Sequence, residues 1–273
     1  MSLFRCPVCS APLERGERAY TCPNGHSYDI SKEGYVHLLP ANQKHSKAPG
    51  DDKAMVSARN RFLSAGYYAP LRQTLEELAL RYTAPGCAVL DSGCGEGWYT
   101  AGVAQALRAA GRSPRVAGID ISKFALRWAA RRDRETEFAV GSAYHLPAAD
   151  GCADLLINCF SPLAAEEFRR VLVPGGVFLY VVPAPRHLWE MKEVLYDRPY
   201  PNPEEEIPYD GFEPLEVVPV ESVLHIGDPE DLWALFQMTP YCWKTPKAGV
   251  ERLKALPSLD VTAGFRIHVF RKK

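Results

Sequence analysis

No stretch of this chain is apolar for anything near the ~18–20 residues that span a bilayer, which excludes a membrane-embedded helix. Residues 1–20 lack the apolar core of a secretory signal and carry Arg5, Glu14, Arg15, Glu17 and Arg18 instead. A reducing, cytoplasmic setting is therefore expected, with no membrane partner. Charge of one sign is not in excess either: 32 Lys and Arg stand against 33 Asp and Glu, a formal net charge of −1. There is no internal repeat and no low-complexity tract. With 273 residues, 47% of them apolar, the chain can build one large α/β domain of about 180–220 residues beside a small lobe.

Against that plain background, Cys6-Pro-Val-Cys9 and Cys22-Pro-Asn-Gly-His26 set out four soft metal ligands in two tight pairs. A structural zinc takes four tetrahedral N/S ligands, and two short knuckles supply them. Pro7 and Pro23 stiffen the turns, and Gly25 can adopt the positive φ that a knuckle needs. Leu13, Tyr20, Tyr28 and Tyr35 give some 35 residues only a thin core, too little to fold without a staple. Disulfides or unrelated free thiols are the rival reading, and the reducing setting argues against the first. The other cysteines, at 87, 94, 152, 159 and 242, lie among apolar residues and are expected to be buried free thiols.

Punctuation and periodicity divide the chain into a lobe over 1–40, a linker and helical segment over 41–84, and a main domain over 85–273. Helices are expected from about Asp51 to Leu63 and from Tyr68 to Tyr82. Strands follow at Ala88–Asp91, Arg115–Asp120, Thr136–Val140, Leu155–Asn158 and Val177–Val182, with helices at Trp98–Ala110, Lys123–Arg131 and Ala165–Val171. That alternation argues for a parallel sheet covered on both faces. Val217–His225 and Gly264–Arg271, flanking a helix at Pro229–Gln237, suit an antiparallel finish, so the sheet is mixed. Charge is segregated along the chain. Residues 197–231 carry a net −10, leaving +9 for the remainder. The N-terminal side is then the one suited to approach phosphates.

The run Val89-Leu-Asp-Ser-Gly-Cys-Gly-Glu-Gly-Trp-Tyr-Thr100 is a cofactor loop best read by what it excludes. A dinucleotide fingerprint needs glycine at 98, where this chain has Trp98, and no P-loop lysine follows. Asp91, closing the strand before Gly93 and Gly95, would repel a pyrophosphate and welcome an ammonium. S-adenosylmethionine (SAM) carries an ammonium and no phosphate. Asp120, ending the next strand, is placed to hold a ribose diol, and Gly141-Ser142-Ala143 falls where adenine contacts are expected.

Val89–Thr100, Gly118–Ser122 and Leu172-Val-Pro-Gly-Gly176 together resemble the Class I SAM-dependent methyltransferases, a Rossmann-like α/β fold. The N-terminal ribbon, with Lys32-Glu-Gly-Tyr-Val36, Pro49-Gly-Asp51, Phe62-Leu-Ser-Ala-Gly-Tyr-Tyr68 and Pro185-Arg-His-Leu188, resembles the bacterial large-subunit rRNA guanine-N1 methyltransferases of the RlmA type. The resemblance covers nearly the whole chain and is weakest over 197–227. It implies methylation of a guanine in a hairpin loop of 23S rRNA, near the macrolide-binding exit tunnel. It also implies Cys6, Cys9, Cys22 and His26 as zinc ligands, and Tyr68, Gly95, Glu96 and His187 as SAM contacts. A homodimer is compatible with it.

In-line transfer from a sulfonium needs mainly alignment, but guanine N1 must lose a proton, so a base or a donor at O6 is expected. The loop Asn158-Cys-Phe-Ser-Pro162 offers Asn158 for hydrogen bonding and Phe160 for stacking on a flipped base, or else a turn cap and a core ring. No base is assigned. Arg5, Arg15, Arg18, Lys32, Lys44 and Lys47, interleaved with Tyr20, Tyr28 and Tyr35, are candidates for phosphate and stacking contacts to RNA. Two other functions fit parts of the pattern: a small-molecule methyltransferase with a purely structural zinc lobe, and a non-catalytic zinc-dependent RNA binder. The intact Asp91, glycines and Asp120 speak against the latter.

Overall fold

Sheet order sets the N-terminal and C-terminal strands at opposite edges, with the parallel strands that frame one cavity between them. The computed structural model describes residues 2–43, 49–204 and 209–273. A hairpin ribbon of β1 (Glu14–Arg15), β2 (Ala19–Thr21) and β3 (Ser27–Asp29) forms a three-stranded antiparallel sheet. After β4 (Tyr35–His37) come α1 (Lys53–Ser64) and α2 (Ala69–Tyr82). Alternation then begins with β5 (Ala88–Ser92), α3 (Trp98–Ala109), β6 (Arg115–Asp120), α4 (Lys123–Arg132) and β7 (Glu137–Val140). It continues through β8 (Ala153–Cys159), α5 (Ala165–Val171), β9 (Leu172–Pro183) and α6 (Trp189–Leu195). The chain closes with β10 (Phe212–Ile226), α7 (Pro229–Gln237), α8 (Lys247–Lys254) and β11 (Leu259–Lys272).

Among the described residues the large sheet has eight strands in the order β10-β11-β9-β8-β5-β6-β7-β4. Strands β4 to β9 pair in parallel, while β11 runs antiparallel to both β9 and β10. The central strand β5 is buried at every position, as expected of a parallel strand with helices on both faces. Among the described residues no helix is long and apolar enough to cross a membrane.

The expected strands and helices lie within the observed ones to a residue or two, except that β8 to β11 are longer than expected. Three elements have no counterpart in the expectation: α6, α8 and β4. The last changes the picture of the lobe. Tyr35, Val36 and His37 pair with Phe138, Ala139 and Val140, so the chain leaving the ribbon becomes the edge strand of the main sheet. Leu3, Phe4, Leu13, Tyr20, Val36 and Leu38 of the N-terminal region share one core with Leu90, Ala139, Leu156, Phe168 and Phe178 of the main domain. Tyr20 donates its hydroxyl to Glu137 Oε1 at 2.9 Å, and the backbone N–H groups of Arg5 and Ala149 bridge the two parts.

The acidic stretch is not a free acidic surface. Asp228, Glu230 and Asp231 converge on Arg61 at 2.8, 2.7 and 2.5 Å. Glu204 pairs with Arg266, Glu216 with Arg81 and Asp197 with Arg252. Charge segregated in sequence is thus largely matched across the fold. Glu205 and Glu206 lie outside the described residues.

Candidate metal centre and cofactor cavity

Two knuckles at the tip of the ribbon bring Cys6, Cys9, Cys22 and His26 together, their ligand atoms all within 4.8 Å of one another. Tetrahedral zinc bonds of about 2.3 Å to sulfur and about 2.0–2.1 Å to nitrogen require S···S near ~3.8 Å and S···N near ~3.5 Å. Cys9 Sγ and Cys22 Sγ are 3.8 Å apart, and His26 Nδ1 lies 3.6, 3.5 and 3.4 Å from the sulfurs of Cys6, Cys9 and Cys22. The four residues therefore fit a zinc ion and exclude a disulfide. Backbone donation from Ala11 lowers the Cys9 thiol to about 7, favouring the thiolate a metal takes. Tyr28 places its hydroxyl 3.0 Å from Cys6 Sγ, where it supports the ligand rather than facing outward.

The C-terminal ends of β5, β6, β7 and β8 open into a cavity of about 630 Å³, the usual ligand position in such sheets. Gly93, Gly95 and Glu96 line it from the first loop, Asp120 and Ile121 from the second, Ser142 and Tyr144 from the third. Phe160 lines it from the fourth, and Tyr68 and His187 from the opposite wall. Of the glycines, Gly95 (φ 55°) faces open space, so the backbone there can meet a ligand directly. Gly97 serves packing instead, since a Cβ would lie 2.8 Å from Ala129 of α4.

Asp120 ties the site together. Its Oδ2 accepts the Gly95 N–H at 2.9 Å and its Oδ1 the Ser122 N–H at 2.7 Å, while burial raises its pKa. Asp91 does not line the cavity. It lies beneath the loop, 1% exposed, accepting Thr100 Oγ1 at 2.6 Å, with Oδ1 unpartnered. Burial pushes its pKa up to about 7. Glu96 Oε2 is held by Asn60 at 2.9 Å and by Arg132, leaving Oε1 without a partner. Burial holds the His187 imidazole down at about 3, so the ring is neutral, with Nδ1 unpartnered against Tyr68 and Phe265.

Six of the seven buried polar atoms without partners among the described residues lie at or under this cavity: Asp91 Oδ1, Ser92 Oγ, Glu96 Oε1, Tyr99 Oη, Asn158 Oδ1 and His187 Nδ1. Buried polar groups are ordinarily satisfied, so their concentration marks a place built for a polar, amine-bearing ligand. SAM fits that donor set. Tyr99 was not expected here, although its position directly after the glycine loop was a usable signal.

The fourth loop separates its two candidates. Asn158 is fully buried and spans the turn, donating to Ser92 O at 3.3 Å and Pro162 O at 3.1 Å. Phe160 is 48% exposed at the cavity mouth, on a left-handed backbone (φ 58°) that a bulky residue adopts only under strain. Of the candidate RNA contacts, Arg15, Arg18 and Lys32 are exposed and Arg5 pairs with Asp150 at 3.1 Å. Lys44 and Lys47 lie outside the described residues. The interleaved tyrosines are not free to stack: Tyr20 and Tyr35 are buried, and Tyr28 is engaged at Cys6.

Residues 4–47 match the family described as "RlmA, N-terminal", a zinc ribbon, and residues 89–176 match "Methyltransferase domain". A 23S rRNA (guanine(748)-N(1))-methyltransferase of Streptomyces fradiae is 39% identical over 70% of this chain and 67% of its own length. A Bacillus subtilis protein, named as a candidate 23S rRNA (guanine-N(1)-)-methyltransferase, is 29% identical over 99% of this chain and 98% of its own. The crystal structure of the Bacillus subtilis YcgJ protein shares the fold at a TM-score of 0.50 and 15% identity, covering 74% of this chain and 98% of that one. With its zinc-ligand cluster on the ribbon and its SAM cavity on the large sheet, and with these relatives, the chain belongs to the 23S rRNA (guanine-N1)-methyltransferase family.

Proposed function

We propose that this protein transfers the methyl group of SAM to N1 of a guanine in a hairpin loop of 23S rRNA, acting in the cytoplasm. The observation that carries the reading is Phe160: a half-exposed ring on strained backbone at the mouth of a SAM cavity whose sheet is extended by the strand leaving the zinc ribbon. One side of the ring rests on Phe265 and Tyr99, and about half of it stays open at the cavity mouth, where a flipped base needs a stacking face.

Bound SAM supplies a methyl on a sulfonium, already activated for in-line displacement. Asp120, fixed by two backbone donors, keeps acceptor capacity for the ribose diol. Asp91 orders the loop from beneath and offers negative potential to the ammonium, and Gly95 admits the ligand to the backbone. Glu96, Tyr68, Ser142 and His187 line the remaining cofactor contacts. The guanine enters between Phe160 and Tyr144, both exposed, while Arg15, Arg18 and Lys32 neutralise hairpin phosphates. Tritium transfer from SAM to rRNA from a strain lacking the enzyme, with the labelled base mapped by nuclease, tests the reading. Label confined to N1 of a single guanine is expected. Transfer to a small-molecule acceptor with none to rRNA would overturn it.

A further inference from the structure

The acceptor wall poses a chemical problem. Phe160, Pro183, His187, Asn202, Tyr241 and Phe265 surround the space beyond the cofactor loop, and none is a carboxylate. His187 is held neutral by burial and is a poor proton acceptor. Guanine N1 nevertheless carries a proton at pH 7 and attacks a methyl group only after losing it.

Directly behind this wall stands Lys192 of α6, fully buried. Its Nζ donates to Tyr200 O at 2.8 Å and to Asn202 Oδ1 at 2.9 Å. It lies over the rings of Tyr200 and Tyr241, 5.1 and 5.4 Å from their centroids. Asn202 anchors its own Nδ2 on Ala184 O at 2.9 Å, and both Asn202 and Tyr241 line the cavity.

Among the described residues, the groups around Lys192 are engaged elsewhere. On α6, Glu190 accepts from Thr262 N and Oγ1 at 2.8 and 2.9 Å, and Glu193 accepts from Trp189 Nε1 at 2.6 Å. From α8, Arg252 is engaged by Val194 O and Asp197, while Lys247, Glu251 and Lys254 are exposed. From β11, Arg266 pairs with Glu204, and Asp260 pairs with His225. The remaining titratable neighbours are the phenols of Tyr196, Tyr200 and Tyr241 and the His187 imidazole, on which the lysine's charge acts. Among the described residues no carboxylate pairs with Lys192. A buried cation without a counter-charge is costly, and here it touches Asn202 and the Tyr241 ring, two residues that line a cavity that must host a developing anion.

We propose that Lys192 is an electrostatic positioning residue for the acceptor: its ammonium, acting through Asn202 and Tyr241, stabilises the N1-deprotonated guanine so that transfer needs no carboxylate base. In this step the N1 proton leaves to solvent water and the freed pair forms the N–CH₃ bond. The C–S bond breaks with its pair remaining on sulfur, and Lys192 keeps its own proton throughout. The inference rests on the proposed rRNA activity.

Single-turnover transfer to the rRNA hairpin, followed from about pH 6 to about pH 9, tests it in wild type, Lys192→Gln and Lys192→Arg. Glutamine keeps a donor for Tyr200 O and Asn202 but removes the charge. The rising limb should move up by about one pH unit, lowering the rate at pH 7 about tenfold. S-adenosylhomocysteine affinity should hold, and arginine should restore the wild-type limb. An unmoved limb in Lys192→Gln overturns the proposal. A second measurement uses wild-type enzyme alone: ultraviolet titration of a hairpin carrying 6-thioguanine at the target, free and bound. Ionisation at lower pH in the complex supports the proposal, and ionisation at the same or higher pH overturns it. Wild-type enzyme that methylates no rRNA would refute the function itself instead.

Discussion

Replacing Tyr20 by phenylalanine tests whether the ribbon and the methyltransferase sheet are one folding unit. Tyr20 is 1% exposed and its hydroxyl reaches Glu137 Oε1 at 2.9 Å, across 117 positions of sequence. Burial and the neighbouring carboxylate both raise the phenol's pKa, so it is the donor. The other oxygen, Oε2, is taken by Ser2 Oγ at 3.1 Å and Leu3 N at 3.4 Å, so the carboxylate cannot turn to recover the loss. A hydrogen bond to a charged group contributes about 1.5–3 kcal/mol. The lower figure applies, because Glu137 is only half-buried and water can replace the hydroxyl. At roughly 2–4 °C per kcal/mol for a domain of this size, Tm should fall by about 3–6 °C. Calorimetry of zinc-loaded protein should show one transition, and Tyr20→Phe should be non-additive with Glu137→Gln in a double-mutant cycle. Two separate transitions, or strictly additive effects, would refute the shared core.

Three other outcomes are expected. Metal analysis should find one zinc per chain, and Cys9→Ser should remove it and abolish rRNA methylation, since four ligands close the tetrahedron; activity retained without metal would contradict this. SAM should bind less tightly as pH falls through about 7, because the ammonium selects ionised Asp91 and binding must then expel its proton. The dissociation constant should rise by up to about tenfold per pH unit, and Asp91→Asn should flatten the dependence; a flat wild-type profile would remove Asp91 from cofactor recognition. Phe160→Ala should lower kcat/KM for rRNA by about tenfold, in line with a stacking loss of about 1–3 kcal/mol, while leaving SAM affinity within twofold; equal loss in SAM binding would make Phe160 a cofactor residue.

Much of the architecture was legible because short-range rules govern it. Alternating apolar runs and amphipathic periods located β5 through β9 and the helices α3 to α5 between them. The knuckle spacing gave the metal ligands for the same reason: two-residue and three-residue spacers leave little freedom. Legibility failed where partners are distant. Nothing local marks Tyr35–His37 as an edge strand, because its partner lies at 138–140. Asn202, Tyr241 and Lys192 meet only after α6 and the C-terminal segment fold over β11. Asp91 was placed in the correct loop but at the wrong depth, since strand alternation fixes a side chain's face and not what covers it.

The pairing of β4 with β7 has a consequence for how the protein is made. Tyr35 leaves the ribosome about a hundred residues before its partner Phe138. At about 5–20 residues per second, the emerging ribbon waits on the order of ten seconds with one edge unpaired. Metal capture during that interval lets the ribbon fold before the sheet exists, so zinc supply becomes a condition of correct assembly as well as of final stability. The same geometry argues against dissecting the protein at residue 40. A fragment starting there presents β7 as an open edge and strips Leu3, Phe4 and Val36 from the apolar face beside it, a surface that invites strand-to-strand aggregation.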